Sequence, residues 1–145
     1  MSMMYAVIRI RGTVNISPKI ETALTIMNLR RINNLSIWPE NDHTKKMIKV
    51  VKDYTTFGII NDSVLEELIK LKAKPIIGGQ KIDSKKIVEE IKKGKKLKDL
   101  GIKNCFNLSP PKKGFERKGI KVAYKIGGAL GDRKEEINSL IMRML

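Results

Sequence analysis

Apolar and polar positions along this chain change period several times, from strand-like to helical and back. The opening run from Met4 to Ile10 is nearly all apolar. Tyr5, Val7 and Ile10 mark a first strand, broken by Arg9 and Arg11 and ending at Gly12-Thr13. Ser17 then stands where a helix cap is wanted, Pro18 takes the first helical position, and Ile20, Leu24 and Met27 share one stripe. This helix is expected to close on Arg30 and Arg31, cations suited to the negative end of a helix dipole. Leu35, Ile37 and Trp38 make a short second strand that Pro39 ends. Asp42 is the expected cap of a second helix, with Met47, Ile48, Val51 and Tyr54 inward and Lys45, Lys46, Lys49 and Lys52 outward. Phe57, Ile59 and Ile60 form a third strand.

Residues 17–60 therefore organise the chain, and with the first strand they give a β-α-β-α-β unit. Both apolar stripes are narrow, so both helices pack on one face of the sheet and leave the other to later segments. Ser63 and Glu66 have capping-box spacing ahead of Val64, Leu65, Leu68 and Leu71, which predicts a third helix to about Lys74, stopped by Pro75 through Gly79. Asp83 or Ser84 opens a fourth helix carrying Ile87, Val88 and Ile91, with Gly94 as its stop. Residues 95–118 read as loop, and Ile120 to Ile126 alternates like one more strand. Gly127 to Gly131 leads to Asp132, spaced from Glu135 as a second capping box before a helix with Ile137, Leu140, Ile141 and Met144 on one face. The expected organisation is a core over residues 1–60 and an extension over residues 61–145 packed on it.

Composition narrows the function. A chain of 145 residues is long enough for one domain with a real core, burying roughly 70% of the surface its unfolded form exposes. Thirty Lys and Arg against fifteen Asp and Glu give a net charge of +15, which opposes compaction and calls for a polyanionic partner. Nucleic acid is the first candidate and an acidic membrane the second. The excess is uneven: +5 over residues 1–60, +10 over residues 61–131 and none over residues 132–145. Cys105 is the only cysteine, so no internal disulfide can form, which fits a reducing compartment. No apolar run approaches the ~18 residues of a membrane span, and no signal pattern opens the chain. A cytoplasmic protein without a membrane partner is expected.

The chemistry-bearing residues point the same way. Arg11, Lys19, Arg30 and Arg31 lie near the mouths of the first strand and helix, where side chains and backbone N–H groups can hold phosphates. Pro110 to Lys125 combines Pro-Pro, Gly114 and Gly119 with Lys112, Lys113, Arg117, Lys118 and Lys121 and one aromatic, Phe115, a pattern suited to insertion between RNA helices that are read by shape. The alternative for each is a solvated charged face or a surface hairpin. Gly127 to Asp132 lacks the Gly-Lys-Ser/Thr ending of a phosphate loop and reads as a turn into a capped helix. His43 and Cys105 have no second His or Cys to complete a nucleophile pair or a zinc set, and the adjacent pairs Glu66-Glu67, Glu89-Glu90 and Glu135-Glu136 point apart on helices. Trp38 reads as a packing residue, with base stacking as the alternative. No cofactor, metal or small-molecule substrate is indicated, and no enzyme.

The stretch NLRRINN after a Ser-Pro-Lys helix start, the SPPKKG loop and the C-terminal GGALGDRKEEINSLIMRML together resemble the large-subunit ribosomal protein family numbered thirty in bacteria and seven in eukaryotes. The matches follow the same order over most of the chain, and the length is similar to the archaeal form, with residues after about 61 corresponding to the extension of longer members. The resemblance implies an α+β, ferredoxin-like fold with a three-stranded antiparallel sheet in order 3-1-2. It also implies a structural, non-enzymatic role on large-subunit ribosomal RNA, with the 5S-type ribosomal RNA and neighbouring ribosomal proteins as further candidate partners. The candidate RNA-binding residues are Arg11, Lys19, Arg30, Arg31, Lys45, Lys46, Lys49, Lys112, Lys113, Arg117 and Lys118. The rival readings are a ribosome assembly factor or RNA chaperone and, further off, a small-molecule-binding regulatory domain.

Overall fold

The computed structural model describes residues 4–11, 17–39, 41–52, 54–72, 84–93, 105–109, 111, 124, 128 and 131–144. The apolar run at the start of the chain becomes the middle strand of the sheet, β1 (Met4–Arg9), and its alternation sends side chains to two separate cores. Ala6, Ile8 and Ile10 enter one core, while Tyr5 and Val7 enter the other. The second core is closed by α1 (Pro18–Ile26) and α2 (Asp42–Val51), through Leu24, Met27, Ile48 and Val51. As the narrow stripes require, both helices lie on one face. The opposite face is covered by α3 (Asp62–Lys72), α4 (Ser84–Lys92) and α5 (Ile137–Met144), which bring Leu68, Ile91, Leu140 and Ile141 into the first core.

In the sheet, β1 runs antiparallel to both β2 (Asn34–Pro39) and β3 (Thr55–Ile59), with Ala6 opposite Ile37 on one side and Gly58 on the other. This centre has the implied order, but the sheet does not stop there. A two-residue strand β4 (Phe106–Asn107) adds antiparallel to β2, and β5 (Gly131–Asp132) adds parallel to β3. The whole is a mixed five-stranded sheet in the order β4-β2-β1-β3-β5, rather than the three-stranded antiparallel one expected. Two-residue strands carry no readable period. They form because a distant edge offers them partners, as Leu35 does for fully buried Phe106. Part of the loop expected over residues 95–118 is thus a strand.

Several ends also differ from expectation. α1 stops at Ile26, not at the arginines, because Asn28 turns left-handed (φ 63°). The Asn28 N–H donates to the Thr25 carbonyl and the Leu29 N–H to the Leu24 carbonyl, a Schellman ending in which Leu29 packs in the same core as Leu24. Ser17 holds the cap position of α1, but its hydroxyl makes no capping bond. α2 is capped by Asn41, whose Oδ1 accepts from the Thr44 N–H at 2.8 Å, so Asp42 is already helical. Asn61, not Ser63, caps α3, accepting from the Val64 N–H at 2.9 Å. Asn41 has the extended backbone that a cap needs, one position upstream of the expected residue. Asp132 belongs to β5 and accepts from the Lys134 N–H. A 3-10 turn over Lys134–Glu136 intervenes before α5. Of the strand expected over Ile120 to Ile126 only Tyr124 is described, in a 3-10 turn, and Pro75 through Gly79 and Gly94 lie outside the described residues.

α5 is fastened to the centre of the sheet. The Asn138 amide donates to the Ile59 carbonyl at 3.1 Å and accepts from the Asn61 N–H at 2.9 Å, joining the end of β3 to the start of α3. Gly58 permits this approach: a Cβ there would stand 2.8 Å from the Ile137 Cβ and closer still to the Lys134 carbonyl. Because one obstacle is backbone, the clash cannot be relieved by a rotamer change. Gly58→Ala is therefore expected to destabilise the chain by about 3 kcal/mol, the upper part of the overpacking range, read as a lower denaturation midpoint in urea.

Candidate nucleic-acid interface

Arg9 interrupts an apolar strand in the sequence, yet it is almost wholly buried, 1% exposed, on the same side of β1 as Tyr5 and Val7. Its Nη1 donates to the carbonyls of Leu29 at 2.8 Å and Arg30 at 2.9 Å, and its Nε donates to the carbonyl of Arg11 at 2.9 Å. Burial holds its pKa below the ordinary arginine value, and the charges of Glu21 and Tyr54 oppose that shift. An arginine nevertheless stays protonated in a protein, so the guanidinium acts as a fixed cationic clamp on two stretches of main chain. Charge-assisted bonds of this kind are roughly twice as strong as neutral ones.

What the clamp holds is the base from which three exposed or half-buried cations project. Arg11 follows β1, and its guanidinium lies 4.7 Å from the centre of the Tyr54 ring. Arg30 and Arg31 are exposed in the connection from α1 to β2. Further main-chain bonds tie this end of the sheet together. The Asn33 N–H donates to the Arg9 carbonyl at 2.7 Å, the Asn34 N–H to the Arg31 carbonyl at 3.3 Å, and the Ile10 N–H to the Tyr54 carbonyl at 3.0 Å. Asn33 takes a left-handed conformation (φ 67°), and its carbonyl accepts from the Leu108 N–H at 3.0 Å, which anchors the segment after β4.

The structure thus brings Arg11, Arg30 and Arg31 to one end of the sheet. Lys45, Lys46 and Lys49 are exposed on α2, with Lys49 one turn beyond the other two and on the same helix face. Lys19 is exposed at the start of α1 and stands apart from Arg30 by the length of that helix, roughly 1.5 Å per residue. Lys112, Lys113, Arg117 and Lys118 lie outside the described residues. His43 is exposed in the first turn of α2. Trp38 is half-buried, packs against the second core and donates its ring N–H to Ser36 Oγ at 2.7 Å. Cys105 is half-buried. Among the described residues no three His, Cys, Asp or Glu side chains gather as a metal site, and no helix is long and apolar enough to cross a membrane.

Sequence reasoning missed Arg9, although its parity with Tyr5 and Val7 places it on the helix-covered face of the strand. It also missed Arg133, which is 2% exposed, donates from Nε to Thr56 Oγ1 at 2.8 Å and lies 4.8 Å from the Tyr124 ring centre. These two arginines are structural cations within a cationic chain.

Comparison with known proteins adds the lineage. The family model described as ribosomal protein L30p/L7e matches residues 5–55, the span from β1 to the start of β3 that contains this end of the sheet. The protein is 39% identical to the large ribosomal subunit protein uL30 of Methanococcus vannielii, over 99% of this chain and 100% of that protein. It is 41% identical to the uL30 of Nanoarchaeum equitans, over 98% of this chain and 99% of the relative, and 36% identical to that of Aeropyrum pernix, over 98% and 99%. The chain belongs to the L30p/L7e family of ribosomal proteins. Its similarity to the archaeal uL30 proteins runs through α3, α4 and α5, beyond the stretch that the family model matches.

Within this family member the clamp can be tested directly. Arg9→Met keeps the apolar stem but leaves the carbonyls of Arg11, Leu29 and Arg30 without their buried donor. The loss is expected to cost about 2–4 kcal/mol in urea denaturation, more than truncation of either exposed neighbour, Arg30 or Arg31.

Proposed function

We propose that this protein is a structural constituent of the large ribosomal subunit that holds ribosomal RNA through phosphate contacts and carries out no catalysis. The observation that carries this reading is the placement of Arg11 and Arg30 on main chain held by the buried Arg9, with Arg31 beside them on main chain bonded to Asn34. Cations held in place lose little freedom when they meet a phosphate, so more of each contact is retained as affinity. Membership of a ribosomal protein family and the net charge of +15 support the same reading.

In this reading Lys19 and the α2 lysines Lys45, Lys46 and Lys49 extend the contact surface, and Lys112, Lys113, Arg117 and Lys118 supply a second basic segment between RNA helices. Residues 61–145 act as an extension whose helices cover the face of the sheet that the core over residues 1–60 leaves open. The ribosomal RNA of the large subunit is the main partner, the 5S-type RNA and neighbouring ribosomal proteins are further ones, and the cytoplasmic ribosome is the location.

The mechanism is electrostatic, so salt is the test. With ~6–10 phosphates engaged, affinity for large-subunit ribosomal RNA should fall by roughly 10³–10⁵ between 50 and 200 mM salt, and a slope near zero would overturn the reading. Replacing Arg30 and Arg31 together by Ala should reduce the slope of log affinity against log salt by roughly 1–2 while leaving the melting temperature unchanged, because both side chains are exposed. A large drop in melting temperature would make them structural instead. An integral constituent should also stay with large subunits sedimented through high salt, where an assembly factor would wash off.

A further inference from the structure

Beside the exposed arginines, the connection from α1 to β2 leaves a groove of about 210 Å³ lined by Asn28, Arg30, Asn34 and Cys105. Its walls come from three segments that are already fixed. Asn28 occupies the left-handed turn after α1, and Asn34 opens β2 with only 7% of its surface exposed. Cys105 precedes β4, which is tied to β2 by the pairing of Asn34 with Asn107 and of Leu35 with Phe106. The Arg9 clamp on Leu29 and Arg30 sits between the first two segments. The groove is therefore preformed.

Among the described residues a phosphate would meet one guanidinium and two neutral amides, chemistry that does not suit a phosphate alone. Each amide can offer both a donor and an acceptor, the Arg30 guanidinium is planar, and the thiol is small and polarizable. Bases that are extruded from folded RNA are held in this way, stacked on a guanidinium plane and hydrogen-bonded along an edge. An asparagine amide pairs in bidentate fashion with N6 and N7 of adenine. We propose that this groove takes one unstacked adenine of the bound RNA, with Arg30 against its face and Asn28 or Asn34 on its edge. The proposal deepens the RNA-binding reading and rests on it. It adds base recognition to a surface otherwise engaged with backbone.

The test uses the protein and large-subunit ribosomal RNA, with two variants that reach the groove independently. Asn28→Gly removes an amide yet keeps the left-handed turn, which glycine adopts freely. Cys105→Met fills the groove. Diethyl pyrocarbonate, which modifies N7 of exposed adenines, reports the base, and hydroxyl-radical cleavage reports the backbone. The wild type should shield an adenine that becomes reactive in both variants. Each variant should lose roughly tenfold in affinity with backbone protection and salt slope unchanged. Wild-type binding of normal salt dependence, with no adenine whose shielding depends on Asn28 or Cys105, overturns the proposal and leaves the phosphate reading standing. Failure of the wild type to bind in a salt-dependent manner overturns both. Circular dichroism of the variants checks that they fold, and an unfolded variant leaves the decision with the other.

Discussion

A single buried guanidinium governs how this molecule presents its charge. Arg9 carries a positive group into the layer between sheet and helices, where an unpaired charge would be very costly. It is stable there because three carbonyls, those of Arg11, Leu29 and Arg30, point at it. Those carbonyls belong to the segment leaving β1 and the segment leaving α1, which lie outside the strands and helices and are held by a few main-chain bonds. The clamp joins the two segments at the point where the chain must turn sharply and display cations. Removing the charge would loosen the two connections before it disturbed either core.

The second constraint is that β1 is buried on both faces. A strand so placed cannot tolerate slippage, since a shift of one residue would exchange the contents of the two cores and carry Arg9 away from its carbonyls. Register is held from both sides by β2 and β3, and on the far face by α5, which approaches Gly58 and bonds through Asn138 to the end of β3. The C-terminal helices thus fix the sheet from which the arginines at the other end of β1 emerge. Packing on one side of the molecule is in this way coupled to cation placement on the other, with the sheet as the rigid element between.

Much of this was legible in the sequence, for reasons that particular residues make clear. Ile20, Leu24 and Met27, or Ile137, Leu140, Ile141 and Met144, recur with a period that only a helix satisfies, and each of these residues enters a core, Ile20 less deeply than the others. The end of α1 was misplaced because Arg30 and Arg31 suit a helix terminus electrostatically. Asn28 decided the matter sterically, by entering the left-handed region and ending the helix before the arginines are reached. The caps at Asn41 and Asn61 were missed in favour of neighbours of similar propensity, and the structure shows which side chains accept from the first turn. β4 and β5 were invisible because their existence depends on partners far away in the chain. Of the candidate contact residues, composition gave the exposed cations but could not separate them from Arg9 and Arg133, which differ from the rest only in facing inward.

That separation bears on how a strongly basic protein achieves a defined fit. Long-range attraction to RNA depends on the sum of charges and is indifferent to where each one sits. Register on a folded RNA depends instead on a few groups whose positions do not change when the partner arrives. Arg9 gives up contact with solvent and holds the main chain at Arg11 and Arg30, and the Arg11 guanidinium is further placed against the Tyr54 ring, so in the proposed reading these two serve the fit and the exposed α2 lysines the attraction. In the proposed reading an inward-facing arginine serves recognition although it touches no partner, because it fixes the main chain from which the neighbouring cations reach out.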